Sequence, residues 1–243
     1  MTTPRRGSPR VEVPVTENDS LTGPVEDYLK AIYSLGRGSV SVATNDIAQR
    51  LAIAPASVSG MVQRLAEQGL LSYERYRGVT LTEAGRRAAL RTLRRHRVIE
   101  AYLSVSLNYP WDRVHDEAER LEHAASDELV DRMAEVMGEP LVDPHGAPIP
   151  SRDGLMDETE YLPLVELGAG QGARVVRVGD DDPEMLRHLG ELAIVPGAEL
   201  IVVAKAPYDG PISLRVAGNL LSIGPVLAAR VLVEPIASDG PSH

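Results

Sequence analysis

The chain of 243 residues contains no cysteine and no apolar stretch long enough to cross a bilayer. Without cysteine there can be no disulfide, iron–sulfur cluster or thiolate metal site, so any metal must be held by His, Asp, Glu, Met or carbonyl oxygen. A membrane-spanning helix needs roughly 20 apolar residues in succession, and the Pro- and Arg-bearing start lacks the apolar run of a signal peptide. We therefore expect a cytoplasmic protein with one large or two to three small domains.

Positive charge is also scarce overall, but it is unevenly distributed. The net charge of −10 at pH 7 would argue against nucleic-acid binding if it were spread along the whole chain. Residues 41–100, however, contain ten basic and five acidic side chains, whereas residues 101–160 contain four basic and fifteen acidic ones. A basic segment thus precedes an acidic one, and the two predict different kinds of partner.

The first eighty residues alternate helical and turn patterns. Residues 1–20 are polar and aperiodic, which predicts a disordered tail. Apolar spacing predicts a helix over 21–35, a second helix capped by Thr44, and a third from Pro55 to a stop at Gly69. Two short strands around a basic turn at Gly78 follow. This order predicts a winged helix-turn-helix domain over 21–82.

The rest of the chain divides into a helical and a β-rich part. Helices are predicted from 82 to 103, from about 111 to 124 and from about 127 to 137, giving a helical domain over 83–139. The Pro- and Gly-bearing residues 140–160 predict an interdomain linker. Short β-rich runs at 173–178, 200–204, 212–216 and 231–233 predict a small β-barrel over 161–236. The predicted fold class is mainly α with a small β domain.

The third helix is the candidate DNA-reading element. It follows a tight turn and has small polar side chains on its leading turns, so it can enter a major groove and approach the phosphates closely. Charge alone would equally suit a helical bundle with a solvated basic face, and the order of the elements is what favours DNA binding. The candidate DNA contacts are Thr44, Ser57, Ser59, Gln63, Arg64, Tyr73, Arg75, Tyr76 and Arg77.

Two predicted helices carry metal-ligand residue types at helical spacing. His96 and Glu100 are four residues apart and share a helix face. On the next helix, four such residues span only about 100°: His115, Glu119, Glu122 and His123. Three carboxylates and three histidines would be costly to bury without a cation, because carboxylates repel one another and lose hydration. A solvated acidic face explains any single pair, but the repeated spacing favours a divalent metal that holds two helices together.

Taken together, these residues resemble the diphtheria-toxin-repressor family of metal-dependent repressors, and within it the manganese-responsive MntR-type members. The resemblance covers about 21–233 and rests on V-E-D-Y-L-K-A-I-Y at 25–33, R-H-R at 95–97, V-H-D-E-A-E at 114–119, L-E-H at 121–123 and D-P-H-G-A-P-I-P at 143–150. It implies a winged helix, dimerisation helices and a C-terminal barrel of the FeoA type. A homodimer bound to a palindromic double-stranded operator is therefore expected.

The resemblance also implies two metal sites per subunit. One ligand set contains His96, Glu100 and His115 and is completed from the barrel, where the candidates are Asp182 and Glu184. The other set does the sensing and joins the first helix to the dimerisation helices through Asp27, Glu119, Glu122 and His123. Asp27 could otherwise be an ordinary acidic residue at a helix N-terminus.

Two positions bear on the choice of metal. Iron-responsive members of the family have Met and Cys where this chain has Asp27 and Glu119, and oxygen ligands suit a hard ion such as Mn²⁺. Mn²⁺ is therefore the expected cofactor, with Fe²⁺ as the alternative. Lys30 replaces a carboxylate of the shorter manganese sensors, which favours two separated sites over a closely spaced pair of ions.

The expected function is that of a metal-dependent repressor of manganese-uptake genes, and these targets are inferred by family analogy. Two other functions are alternatives to it. A metalloenzyme would also use His and carboxylate clusters, but no H-E-x-x-H motif or nucleophile arrangement accompanies this one, and saturated ligation leaves no open position. A winged-helix regulator that answers to an organic ligand would leave the acidic helix merely solvated. If a chelator left operator binding unchanged, this second alternative would be favoured.

Overall fold

The computed structural model describes residues 21–36, 40–74 and 77–236. The predicted disordered tail and the predicted DNA contacts Arg75 and Tyr76 lie outside these ranges. The described chain forms a winged helix-turn-helix unit, a helical unit and a six-stranded sheet, in that order. None of its helices combines the length and the apolar character needed to cross a membrane.

The winged helix-turn-helix unit comprises helices α1 (Gly23–Gly36), α2 (Thr44–Arg50) and α3 (Pro55–Glu67) and the antiparallel strands β1 (Leu71–Glu74) and β2 (Gly78–Leu81). Apolar residues of all three helices and both strands share one core. The predicted cap at Thr44 is wrong. Ala43 occupies the N-cap position without a side-chain hydrogen bond, and Thr44 is the first residue of the helix.

The helical unit comprises α4 (Glu83–Leu107), α5 (Val114–Leu121) and α6 (Asp127–Val136). The Thr82 side chain caps α4 by accepting a hydrogen bond from the Gly85 amide at 3.1 Å. Helix α4 continues past the predicted end at Leu103 and stops at Asn108, which has a left-handed φ of 52°. Helix α5 is shorter than predicted and ends at Leu121, so the two residues that follow occupy a turn rather than a helix face.

The C-terminal unit is an open antiparallel sheet in the order β3-β8-β4-β5-β6-β7. Its strands are β3 (Leu162–Pro163), β4 (Gly172–Val178), β5 (Glu199–Lys205), β6 (Ile212–Val216), β7 (Asn219–Ile223) and β8 (Val231–Ile236). The expected barrel is wrong, since β3 and β7 are the two edges and have no pairing with each other. Strand β3 has only two residues, and Pro163 has no N–H to donate. Helices α7 (Pro183–Glu191) and α8 (Pro225–Ala228) were not expected from the sequence.

The predicted linker at 140–160 has no helix and only the isolated bridge Val142–Pro148, but it is not a free tether. Its residues Asp143, His145 and Ala147 are buried. Gly146 has φ +86°, and a Cβ at this position would lie 1.9 Å from the Val176 carbonyl oxygen, so the loop can pack this closely against β4 only with glycine there. The segment therefore joins the helical unit to the sheet.

Candidate metal centre

Helix α4 packs against α1 and α5, and ligand-type side chains from all three helices meet between them. His96 and Glu100 lie on the buried face of α4, as their i, i+4 spacing predicts, with exposed fractions of 4% and 0%. Glu122 is fully buried although it follows the end of α5. Buried ionisable groups in such numbers must be paired with one another or with a cation.

Three of the four predicted sensing residues meet at the junction of α1 with the turn after α5. Atoms of Asp27, Glu122 and His123 lie within 4.8 Å of one another. His123 Nε2 is 2.9 Å from Asp27 Oδ1 and 3.5 Å from Glu122 Oε1. On the other side of the ring, Nδ1 is 2.7 Å from Oε2 of the buried Glu26, which also pairs with Arg95. This carboxylate orients the imidazole in the way that outer partners orient metal-bound histidines.

Lys30 lies inside the same set. Its Nζ is 2.7 Å from Glu119 Oε1 and 2.6 Å from Glu122 Oε1, and its side chain is only 14% exposed. Burial lowers the pKa of Lys30, but the charges of Glu122 and Glu119 and their hydrogen bonds raise it by more, so that this pKa lies above its ordinary value. The ammonium is therefore charged at neutral pH.

His96 connects the sensing set to the rest of the centre. Its Nδ1 is 2.6 Å from Glu122 Oε2, and its Nε2 is 3.0 Å from Glu100 Oε1. His115 Nδ1 lies 3.1 Å from the same Glu100 oxygen. Burial lowers the pKa of His96, but Glu100 and Glu122 raise it to about 10. In this structure Glu119 groups with His96 and His115 rather than with Asp27.

A third group joins the predicted ligand Glu100 to two residues that the sequence did not reveal as ligands. It consists of Glu100, Asp143 and His145, all buried. Three of its atoms, Glu100 Oε2, Asp143 Oδ2 and His145 Nδ1, are buried without any hydrogen-bond partner. An unsatisfied buried polar atom costs about 1–3 kcal/mol, and more if it is charged. Two carboxylate oxygens and an imidazole nitrogen are suitable donors for a divalent ion, which would satisfy all three.

The orientation of His145 supports this interpretation. Its Nε2 is 2.8 Å from the Trp111 carbonyl oxygen, which can only accept, so Nε2 carries a proton, and in the neutral imidazole Nδ1 has a free lone pair. Asp143 is held by Oδ1, which accepts hydrogen bonds from the amides of His145 and Ala147. The donors are thus positioned before any ion binds.

The electrostatics of the third group combine opposing charges: Glu100 disfavours ionisation of Asp143, while the buried Arg97, whose Nε lies 3.7 Å from Asp143 Oδ2, favours it. Burial and the charge of Glu100 raise the pKa of Asp143 to about 6. Asp180, two residues after the end of β4, contributes to the electrostatic environment of the same group. Burial and Glu100 raise its pKa, and His115, Arg177 and His145 lower it below its ordinary value. The partly buried Asp180 carboxylate is therefore ionised, and its charge interacts with those of Glu100 and His145.

The structure does not bring the predicted ligands Asp182 and Glu184 to any of these groups. Both are exposed, and Asp182 caps α7 by accepting hydrogen bonds from the amides of Glu184 and Met185, each at 3.0 Å. An Asp followed by Pro and Glu is a helix-start pattern, which could have assigned this role from sequence. For Asp143 and His145 the only sequence signal was the D-P-H-G-A-P-I-P motif.

The predicted DNA contacts mostly lie on one exposed surface. Ser57, Ser59, Gln63 and Arg64 are exposed on α3, whose opposite face is buried in the core. Tyr73 and Arg77 are exposed on the wing, and Thr44 is partly exposed. The first helix of this winged helix also supplies ligand-type residues to the His and carboxylate centre. These two features together define the class of protein: a DNA-binding regulator that responds to metal.

Comparison with known proteins identifies the family. Residues 20–79 match the iron dependent repressor N-terminal DNA binding domain, residues 82–151 its metal binding and dimerisation domain, and residues 162–235 the FeoA domain. The chain is 33% identical to the iron-dependent repressor IdeR of Mycobacterium tuberculosis over 91% of its own length and 88% of that protein. It is 35% identical to the transcriptional regulator MntR of Lysinibacillus sphaericus over 48% of its own length and 83% of that protein.

A solved manganese-dependent transcriptional repressor in complex with manganese superimposes with a TM-score of 0.82 at 38% identity, covering 87% of this chain and all of that one. The chain therefore belongs to the diphtheria-toxin-repressor family of metal-dependent DNA-binding repressors. The prediction of a repressor rather than an enzyme is confirmed by these relatives.

Proposed function

We propose that this chain is a manganese-dependent repressor that binds a palindromic operator as a homodimer and controls metal-uptake genes. The observation that carries the choice of metal is the donor set: the three candidate groups among the described residues consist of carboxylate oxygens and imidazole nitrogens, without sulfur. Such donors suit Mn²⁺, whereas sulfur donors favour Fe²⁺ and later metals. The manganese-bound repressor that this chain resembles supports the same choice.

We infer two sites per subunit. The sensing site consists of Asp27, Glu119, Glu122 and His123. The second is built around Glu100, whose Oε1 contacts His96 and His115 and whose Oε2 has no hydrogen-bond partner. Asp143, His145 and Asp180 are its further ligand candidates, in place of Asp182 and Glu184.

The coupling to DNA follows from where the ligands lie. When bound, Mn²⁺ supplies two positive charges that neutralise the repulsion among these carboxylates. Asp27 belongs to α1, which packs in the core that positions α3, while Glu122 and His123 belong to the turn after α5. An ion bound by residues of both parts would fix the winged helix against the helical unit. In the dimer this would hold the two α3 helices at the distance that separates the two half-sites of the operator.

The decisive experiment measures operator binding against metal. A random duplex pool selected on the full chain with Mn²⁺ present would yield the operator, and fluorescence anisotropy would follow binding to it. We expect binding that Mn²⁺ induces and a chelator reverses. Binding that persists in the chelator would contradict metal sensing. Anaerobic Fe²⁺ provides the comparison, since activation at lower free Fe²⁺ than Mn²⁺ would favour the iron-dependent alternative.

Dimerisation gives a separate prediction. Val105 on α4 and Val136 on α6 are 68% and 75% exposed, within a unit that matches a dimerisation domain. Apolar side chains this exposed are suited to burial against a second copy. We expect Val105→Glu/Val136→Glu to convert the dimer to a monomer in analytical ultracentrifugation. The matched control, Leu220→Glu/Val226→Glu, changes equally exposed apolar residues of the sheet unit. A doubly charged α4/α6 variant that stays dimeric would refute this interface.

A further inference from the structure

One positively charged side chain lies within the carboxylates of the sensing site. The chain has only two lysines, Lys30 and Lys205, and Lys30 follows Asp27 by one helical turn on α1. Its ammonium makes two short hydrogen bonds, to Glu119 at 2.7 Å and to Glu122 at 2.6 Å. Charge-assisted bonds of this kind are the strong ones, and the bond to Glu122, whose side chain is fully buried, is shielded from water.

The two bonds use atoms that the sensed ion requires. Glu122 Oε1 accepts from Lys30 and also lies 3.5 Å from His123 Nε2, on the side of the predicted ion. The other Glu122 oxygen is engaged by His96 Nδ1 at 2.6 Å. An ammonium and a divalent ion repel one another, so an ammonium bound to these carboxylate oxygens weakens their binding of the ion.

We propose that Lys30 is a built-in cation that competes with the sensed metal: it holds Glu119 and Glu122 in the metal-free protein and must release them before they bind an ion. This inference rests on the proposed function, because it assumes that Glu119 and Glu122 are metal ligands. Lys30 thereby keeps the carboxylates in place while raising the metal concentration at which the repressor responds.

The surroundings of Lys30 allow it to move. The ammonium is attached to a flexible four-carbon stem. Lys30 also lines a cleft together with exposed residues such as Ser34, so the displaced ammonium can turn away from the carboxylates toward solvent. Arginine or a shorter cation would not combine this compactness with this reach.

The test compares Mn²⁺ binding to the full chain and to its Lys30→Gln and Lys30→Met variants, with free Mn²⁺ measured by electron paramagnetic resonance. We expect sensing-site affinity about tenfold or more tighter in both variants, because binding no longer breaks two charge-assisted hydrogen bonds. The melting temperature of the metal-free variants should fall, since the carboxylates lose their cation, while that of the Mn²⁺-bound variants should not. Lys205→Gln, in the sheet unit, is the matched control and should behave as the wild type.

The outcomes separate the two claims. If wild-type protein binds no Mn²⁺, the proposed function fails. If it binds Mn²⁺ but the Lys30 variants bind with unchanged or weaker affinity, only the competition is refuted. Equal losses of stability with and without metal would also refute it, because they would show that Lys30 has a purely structural role.

Discussion

Asp27→Ala should abolish Mn²⁺-dependent operator binding while leaving the fold intact. Asp27 is the candidate ligand that α1 contributes, and its Oδ1 lies 2.9 Å from His123 Nε2. Its side chain is 37% exposed, so its removal creates no buried cavity. Loss of an outer partner typically weakens metal binding about 10–100-fold, and we expect loss of a ligand to exceed the upper end of this range. Anisotropy with the selected operator across a Mn²⁺ titration measures the effect.

The control for this prediction is Asp116→Ala. Asp116 is an exposed carboxylate of α5 that lines the same cleft but belongs to none of the three candidate metal groups. It should leave the Mn²⁺ response within about twofold of the wild type, as expected for a surface change. An Asp27→Ala protein that still bound the operator in a metal-dependent way would contradict the proposed link between α1 and the turn after α5.

Asp143→Asn should reduce the stoichiometry from two Mn²⁺ ions per subunit to one without lowering the stability of the metal-free protein. Oδ1 continues to accept from the amides of His145 and Ala147, so the loop keeps its conformation. The second oxygen, which has no hydrogen-bond partner and lies 3.7 Å from Arg97 Nε, is replaced by an amide nitrogen that cannot bind a cation. Because the folded state raises the pKa of Asp143 to about 6, the ionised carboxylate destabilises the metal-free fold at neutral pH, and the neutral amide relieves this.

Isothermal titration calorimetry gives the stoichiometry, and thermal unfolding with and without Mn²⁺ gives the stability. Asp153→Asn, at an exposed position of the same loop, should retain both ions. If Asp143→Asn protein bound two ions, the third group would not be a metal site. A large fall in the melting temperature of the metal-free variant would instead assign Asp143 a structural role.

Local patterns predicted much of the scaffold. The apolar residues of α1 and α3 recur at helical spacing, and the structure buries them in one core. His96 and Glu100 were predicted to share a face because residues four apart on a helix must do so, whatever surrounds them. The same argument was only partly valid for the next helix. It ends at Leu121, so the turn, and not a continuous helix face, places Glu122 and His123.

The sheet unit shows where local patterns were insufficient. The β-rich runs located four strands, but closure into a barrel depends on pairing between the first and last strands, which lie far apart in sequence, and the two-residue β3 leaves the sheet open. Asp182 and Glu184 were chosen as ligands for their residue type. Hydrogen bonds to the first amides of α7 engage Asp182 instead.

By itself, the sequence determined the winged-helix scaffold, the His and carboxylate residue types of the centre and the exclusion of thiolate ligands, because these depend on composition and on spacing within a few helical turns. Only the tertiary structure placed Lys30 against Glu119, 89 residues away, and Asp143 and His145 beside Glu100. Such contacts are decided by how α1, α4, α5 and the 140–160 loop pack. That packing leaves three buried atoms without hydrogen-bond partners, which supports the proposed second metal site, and it places one lysine among the carboxylates of the proposed sensing site.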